Sequence, residues 1–144
     1  MTKVILLVED NASDEKLTVL AFKKCAVVNE VVVVRDGAAA LDYLLGPEAP
    51  AVMPAVVLLD LKLPKVDGLE VLRRIRANTS TRLLPVVVLT ASKEDEDIVT
   101  SYALGANAYV RKPVEFSEFA EAAKTLGLFW LLLNETPPPL REPR

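Results

Sequence analysis

The chain has 144 residues, 51% of them apolar and 26% charged, with a formal net charge of −3, one cysteine and no histidine. This length suits one domain with a real hydrophobic core, while the single Cys25 excludes an internal disulfide. The missing histidine excludes histidine-based triads, histidine metal sites and phosphohistidine carriage by this chain. The basic residues form no stripe or block, so a primary role on nucleic acid is not expected. No apolar run approaches the length of a membrane span, so no membrane role is expected either. Met1-Thr2-Lys3-Val4-Ile5 enters a strand without signal-peptide features, and a cytoplasmic location is expected.

Val4–Val8 is a short apolar run that ends in Glu9-Asp10 and reads as the first strand. Asn11 and Ser13 are candidate N-caps for a helix spaced by Leu17, Leu20, Ala21 and Lys24, ending near Cys25 or Ala26. Val31–Val34 is the second strand, Arg35-Asp36-Gly37 turns the chain, and a helix runs over Ala38–Leu45 until Gly46-Pro47 stops it. Residues 46–55 hold three prolines and are expected to be a surface loop. Val56-Val57-Leu58-Leu59 is apolar and rich in β-branched residues, as a strand buried on both faces should be, and it ends abruptly in Asp60. An amphipathic helix over Leu69–Ala77 follows, then a polar connector through Arg82.

Pro85–Thr90 is the fourth strand, and an acidic helix start at Glu94-Asp95-Glu96-Asp97 suits the positive end of a helix dipole. Gly105-Ala106-Asn107 ends that helix. Ala108 to Pro113 is a brief fifth strand with Lys112 at its end. The last helix is expected from about Ser117 to about Asn134, with Phe116 before it as a staple. Phe116, Phe119, Ala123, Leu126 and Trp130 would form its core stripe. A proline-rich, non-compact tail ends the chain.

Strands alternating with helices predict an α/β fold: a doubly wound, flavodoxin-like, five-stranded parallel sheet of order 2-1-3-4-5 with five helices. One domain over residues 1–134 and a tail over 135–144 account for the chain.

In a parallel sheet the strand ends share one edge, so Glu9, Asp10, Asp60, Thr90 and Lys112 converge there. Singly, each reads as a cap, a turn former or a solvated charge. Jointly, the carboxylates would repel one another unless a cation were bound, and Thr90 and Lys112 would hold an anion. Oxygen ligands without histidine or cysteine point to Mg²⁺. Two readings follow from the residues: phosphoryl chemistry on a carboxylate beside Mg²⁺, or a non-reactive Mg²⁺ or anion site.

Leu7-Val8-Glu9-Asp10-Asn11, the Asp60-Leu61-Lys62-Leu63-Pro64 to Asp67-Gly68 segment, Leu89-Thr90-Ala91 and Tyr109-Val110-Arg111-Lys112-Pro113 resemble the receiver domain of two-component response regulators. The resemblance spans residues 3 to about 130 with its signature segments in order. It implies that Asp60 is the phosphoacceptor for a sensor histidine kinase. It also implies that Asp10, Asp60 and the backbone carbonyl of Lys62 bind Mg²⁺, with Glu9 acting through the metal's water shell. Thr90 would bond a phosphoryl oxygen, and Lys112 would pair with it after a cis Lys112–Pro113 bond. Tyr109 would be the rotating aromatic switch; the alternative for it is an ordinary half-buried strand aromatic. Such a protein is not an enzyme acting on other substrates, since it catalyses only its own phosphotransfer and dephosphorylation.

Leu128-Phe129-Trp130-Leu131-Leu132-Leu133 is apolar around nearly the whole helix, which calls for burial on more than one side. A homodimer through the C-terminal helix is therefore expected, the alternative being that the tail folds back over it. This ending and the proline-containing loop before Asp60 resemble the small response regulators paired with bacterial phytochrome kinases. With no DNA-binding domain in the sequence, the expected role is a stand-alone receiver that signals through protein contacts. The alternatives are a phosphate sink for a kinase or a phosphorylation-independent interaction module. A haloacid-dehalogenase-type phosphatase would need an Asp where Lys62 stands, and a flavodoxin would need a phosphate loop where Glu9-Asp10-Asn11-Ala12-Ser13-Asp14 stands.

Overall fold

A computed structural model describes residues 4–23, 30–112 and 115–138. Five strands, β1 (Val4–Val8), β2 (Glu30–Val34), β3 (Val56–Leu59), β4 (Val86–Thr90) and β5 (Ala108–Arg111), form one parallel sheet in the order β2-β1-β3-β4-β5. The helices are α1 (Ala12–Lys23), α2 (Gly37–Leu45), α3 (Gly68–Ala77), α4 (Asp95–Ala103) and α5 (Phe116–Leu128). The expected doubly wound architecture and strand order are those observed.

Strand side chains alternate between the faces, and this alternation builds two cores. Ile5, Leu7, Val56, Leu58, Val87 and Leu89 face one side with Phe22 of α1 and with Trp130 and Leu131. Leu6, Val8, Val57, Leu59 and Val86 face the other with Leu41 and Leu44 of α2 and Val71, Leu72 and Ile75 of α3. Both faces of β1, β3 and β4 are thus covered, which is why these strands read as unbroken apolar runs.

Local signals set the helix starts. Asn11 caps α1 by accepting from the Asp14 N–H at 2.9 Å, Asp36 caps α2 through the Ala39 N–H, and Asp67 caps α3 through the Glu70 N–H. Ser13 lies inside α1 and does not cap it. The buried face of α1 is Thr18, Ala21 and Phe22; Leu20 is exposed, because the sheet meets the helix one residue round from the expected stripe. The expected end of α1 at Cys25 or Ala26 lies outside the described residues.

The C-terminal helix departs from the expected continuous α-helix to Asn134. After Leu128 the chain widens into a π-helical turn over Phe129–Leu133, closed by the Asn134 N–H on the Phe129 carbonyl at 2.8 Å. The wider turn places the adjacent Trp130 and Leu131 both in the core, while Phe129 and Leu133 stay exposed. α5 begins at Phe116, one residue earlier than expected; the staple and stripe roles of Phe116, Phe119 and Ala123 lie outside the described side chains. Thr136, Pro137 and Pro138 of the tail wall a cleft with Ala49–Ala55, so this part of the tail lies against the fold at the sheet edge opposite Asp60.

Candidate functional site

The carboxyl edge of the sheet is set by main-chain pairing that runs one residue past the strands. The Asp60 N–H donates to the Val8 carbonyl at 3.1 Å, the Glu9 N–H to Val34 at 3.0 Å and the Lys112 N–H to Thr90 at 2.7 Å. Glu9, Asp60 and Lys112 therefore leave the sheet from held backbone, beside Thr90 at the end of β4. Behind Asp60, the start of α3 rests on its carbonyl: a Cβ on Gly68 would lie 2.3 Å from the Asp60 oxygen, so glycine is required there.

Asp60 is 7% exposed. Its Oδ1 accepts from Thr90 Oγ1 at 2.8 Å and from the Lys62 N–H at 3.2 Å, and its Oδ2 accepts from Lys112 Nζ at 2.9 Å. The Lys112 ammonium, on a buried side chain, also reaches Glu9 Oε1 at 2.5 Å and Asp14 Oδ2 at 2.9 Å. Asp10 is exposed and lines the same cleft of about 460 Å³ with Asp14, Asp60, Lys62, Thr90, Ser92 and Lys112, outside the ion cluster.

The electrostatics follow from one cation among buried carboxylates. Burial, helped by the neighbouring Asp60 charge, raises the Glu9 carboxyl to about 7 against the opposing pull of Lys112. Asp60 is also penalised by burial, but the Lys112 ammonium, Glu9 and the Thr90 hydroxyl outweigh that and hold its carboxyl below the usual range. Lys112 is kept charged well above its ordinary value: burial opposes the charge, and bonds to Glu9, Asp60 and Asp14 more than offset it.

Glu9, Asp60, Thr90 and Lys112 thus come together, and Asp10 stays at the rim. In this structure Lys112, expected to hold an anion, sits among Glu9, Asp14 and Asp60 and offsets part of their charge. Among the described residues no three carboxylate, histidine or cysteine side chains are spaced to hold a metal ion as they stand. The chemistry of the donors nevertheless fits a hard divalent cation: Asp10, Asp14, Asp60 and Glu94 line an open cleft with no soft ligand in it. The expected cis Lys112–Pro113 bond lies outside the described residues.

Asp14 was not foreseen. Its signal was its place in the first turn of α1, whose N-terminus opens on the same edge as Asp60. Tyr109 is half-buried, and its hydroxyl donates to the Ser92 carbonyl at 2.9 Å. Burial raises its phenol above the ordinary value, with the Asp97 and Asp60 charges adding to the rise.

Comparison with known proteins agrees with this geometry. The family model for the response regulator receiver domain matches residues 5–124. The chain is 42% identical over 137 residues to the probable methanogenesis regulatory protein FilR2 of Methanothrix harundinacea, covering 94% of this chain and 88% of the relative. It is 39% identical over 131 residues to response regulator Rcp1 of Synechocystis sp., covering 90% and 89%. Among solved structures, the bacteriophytochrome response regulator RtBRR is 56% identical with a TM-score of 0.73, over 96% of this chain and 86% of that one. The phosphorylated cyanobacterial phytochrome response regulator RcpA is 41% identical with a TM-score of 0.90, over 96% and 100%. The Mn²⁺-bound form of Rcp1 is 37% identical with a TM-score of 0.88, over 94% and 99%. In sheet order, in the carboxylate at the end of β3 and in sequence, the chain belongs to the response regulator receiver domain family.

Proposed function

We propose that Asp60 accepts a phosphoryl group from the phosphohistidine of a sensor histidine kinase, in a Mg²⁺-dependent reaction, and that the protein signals by changing its protein contacts. The observation that carries this reading is the environment of Asp60: a buried carboxylate, kept ionised, with Thr90 Oγ1 on one oxygen and Lys112 Nζ on the other. An Asp60 oxygen attacks phosphorus, the donor's N–P bond breaks, and an acyl phosphate forms. The donors that now hold the carboxylate are placed to hold phosphoryl oxygens instead, where charge-assisted bonds are strongest. Asp10, Asp60 and the Lys62 carbonyl would hold Mg²⁺, with Glu9 behind them, and the bound ion supplies charge neutralisation at the phosphoryl group.

In this reading residues 1–134 are the receiver unit and 135–144 a tail, and the protein works in the cytoplasm. Movement of Thr90 toward a phosphoryl oxygen alters the space beside Tyr109, which makes that ring the switch that carries the change to α4, β5 and α5. The kinase is of the phytochrome type; the support is the 56% identity to RtBRR and the likeness to RcpA. The C-terminal helix region forms a homodimer, a reading supported by Phe129 and Leu133, which are 47% and 70% exposed beside the buried Trp130 and Leu131. No nucleic acid or membrane partner is invoked; among the described residues no helix is long and apolar enough to cross a membrane.

The test is intact-protein mass after incubation with acetyl phosphate and Mg²⁺. A phosphoryl-sized gain in the wild type that is absent in Asp60→Asn is expected. A gain retained in Asp60→Asn would move the acceptor elsewhere.

A further inference from the structure

The turn between β4 and α4 is closed in an unusual way. The N-cap residue of α4, Glu94, makes no side-chain cap bond. Ser92, two residues earlier, does that work: its Oγ accepts from the Glu94 N–H at 3.3 Å and donates to Asp97 Oδ2 at 2.5 Å. The same residue's carbonyl receives the Tyr109 hydroxyl at 2.9 Å, and its N–H lies 3.5 Å from Thr90 Oγ1, which in turn donates to Asp60. Ser92 is 9% exposed. Three connections therefore meet at one buried residue: to the phosphoacceptor through Thr90, to β5 through Tyr109, and to the first turn of α4 through Asp97.

We propose that Asp97 is a positioning residue, a latch that fixes Ser92 so that its carbonyl holds the Tyr109 hydroxyl and ties the position of Tyr109 to α4. The physical reason is that a serine in a short turn can place its carbonyl only if its own backbone is fixed. The Thr90 contact, at 3.5 Å, is too long to do that alone. At 2.5 Å, the bond to the Asp97 side chain is the shortest that Ser92 makes. Asp97 stands in the first turn of a helix whose other acidic neighbours, Asp95 and Glu96, are exposed. Helix-dipole complementarity explains an acidic residue at any of these positions. It does not explain why this one turns back onto Ser92. As a signalling device the latch rests on the phosphoacceptor reading of Asp60; as a determinant of the Tyr109 position it does not.

The test uses the full chain labelled with 3-fluorotyrosine, whose ¹⁹F resonances from Tyr43, Tyr102 and Tyr109 are assigned by single Tyr→Phe variants. In Asp97→Ala the Tyr109 resonance is expected to move toward that of Tyr102, which is 51% exposed. Asp97→Asn keeps an acceptor and should hold the resonance in place. Glu96→Ala removes a similar charge from the same helix turn and should also leave it. Ser92→Ala should reproduce the displacement, and adding Asp97→Ala to it should move the resonance no further. A Tyr109 resonance unmoved in Asp97→Ala, or moved equally by Glu96→Ala, overturns the latch. The same samples then receive acetyl phosphate and Mg²⁺. A wild type that gains no mass sinks the phosphoacceptor reading, while the ¹⁹F comparison still decides the latch. If mass is gained, the phosphorylation-induced shift of the Tyr109 resonance should be lost in Asp97→Ala and kept in Asp97→Asn.

Discussion

Lys112 Nζ lies 2.9 Å from Asp60 Oδ2, across 52 residues of sequence, and the same ammonium bridges Asp60 to Glu9 and Asp14. One cation thereby offsets several carboxylates in a setting where the lysine side chain is only 6% exposed. A buried cluster of this kind is costly to break from one side, because the remaining charges keep their desolvation penalty and lose their partner.

Lys112→Met should therefore lower unfolding free energy by about 3–5 kcal/mol in metal-free buffer. Urea denaturation followed by circular dichroism measures it. Glu9→Gln in the Lys112→Met background should recover part of the loss, since it removes one of the stranded charges. A loss in Lys112→Met no larger than that of a surface substitution would show that the cluster is solvated.

The pH dependence follows from Glu9, whose folded value of about 7 lies above its ordinary 4.5. Across that window the folded protein holds a proton that the unfolded chain has released. Metal-free stability is therefore fully present below the unfolded value and is lost as pH rises through the folded one. Asp60 is shifted the other way, and its window lies at lower pH, so the two do not overlap. In the proposed Mg²⁺ site the ion competes with the Glu9 proton, so its affinity should rise with pH through the same window. Calorimetric melting in chelator and Mg²⁺ titrations at pH 6 and pH 8 check both signs, and Glu9→Gln should flatten both dependences.

Thr90 is fully buried with its hydroxyl on Asp60 Oδ1. Thr90→Ala should slow phosphoryl uptake by roughly tenfold or more, as expected for loss of a hydrogen bond to a charged group worth about 1.5–3 kcal/mol. Thr90→Ser should retain most of the rate. Time-resolved intact mass with acetyl phosphate distinguishes the variants; equal rates for serine and alanine would remove the hydroxyl from the mechanism.

The π-helical turn divides its residues between core and surface. Trp130→Ala should cost about 3–5 kcal/mol of stability, as large-to-small changes in a core do, because the indole packs with the Ile5 and Phe22 cluster. In the proposed homodimer, Leu133→Asp, at a 70% exposed position, should leave the fold intact and halve the molar mass seen by light scattering. An unchanged mass in Leu133→Asp would take the dimer away from this end of the helix.

The sequence alone determined the sheet. Its central strands β1, β3 and β4 are buried on both faces, so each is written as a run of apolar residues, and these runs reach the candidate site residues Glu9, Asp60 and Thr90. The handedness of crossovers left few strand orders, among them the flavodoxin-like one observed, and the gathering of Glu9, Asp60, Thr90 and Lys112 followed from parallel strands sharing an edge. The tertiary structure decided what distance and rotamer decide. Asp14 joins the cluster and Asp10 stays at the rim because the ammonium of Lys112 takes the point between the carboxylates. Ser92 meets Asp97 because a short turn brings back the first turn of α4. Trp130 and Leu131 are both buried because one helical turn widens by a residue, a change that no periodicity in an all-apolar stretch could signal. Patterns of burial are written along the chain; which charge neutralises which is settled only when the chain has closed around them.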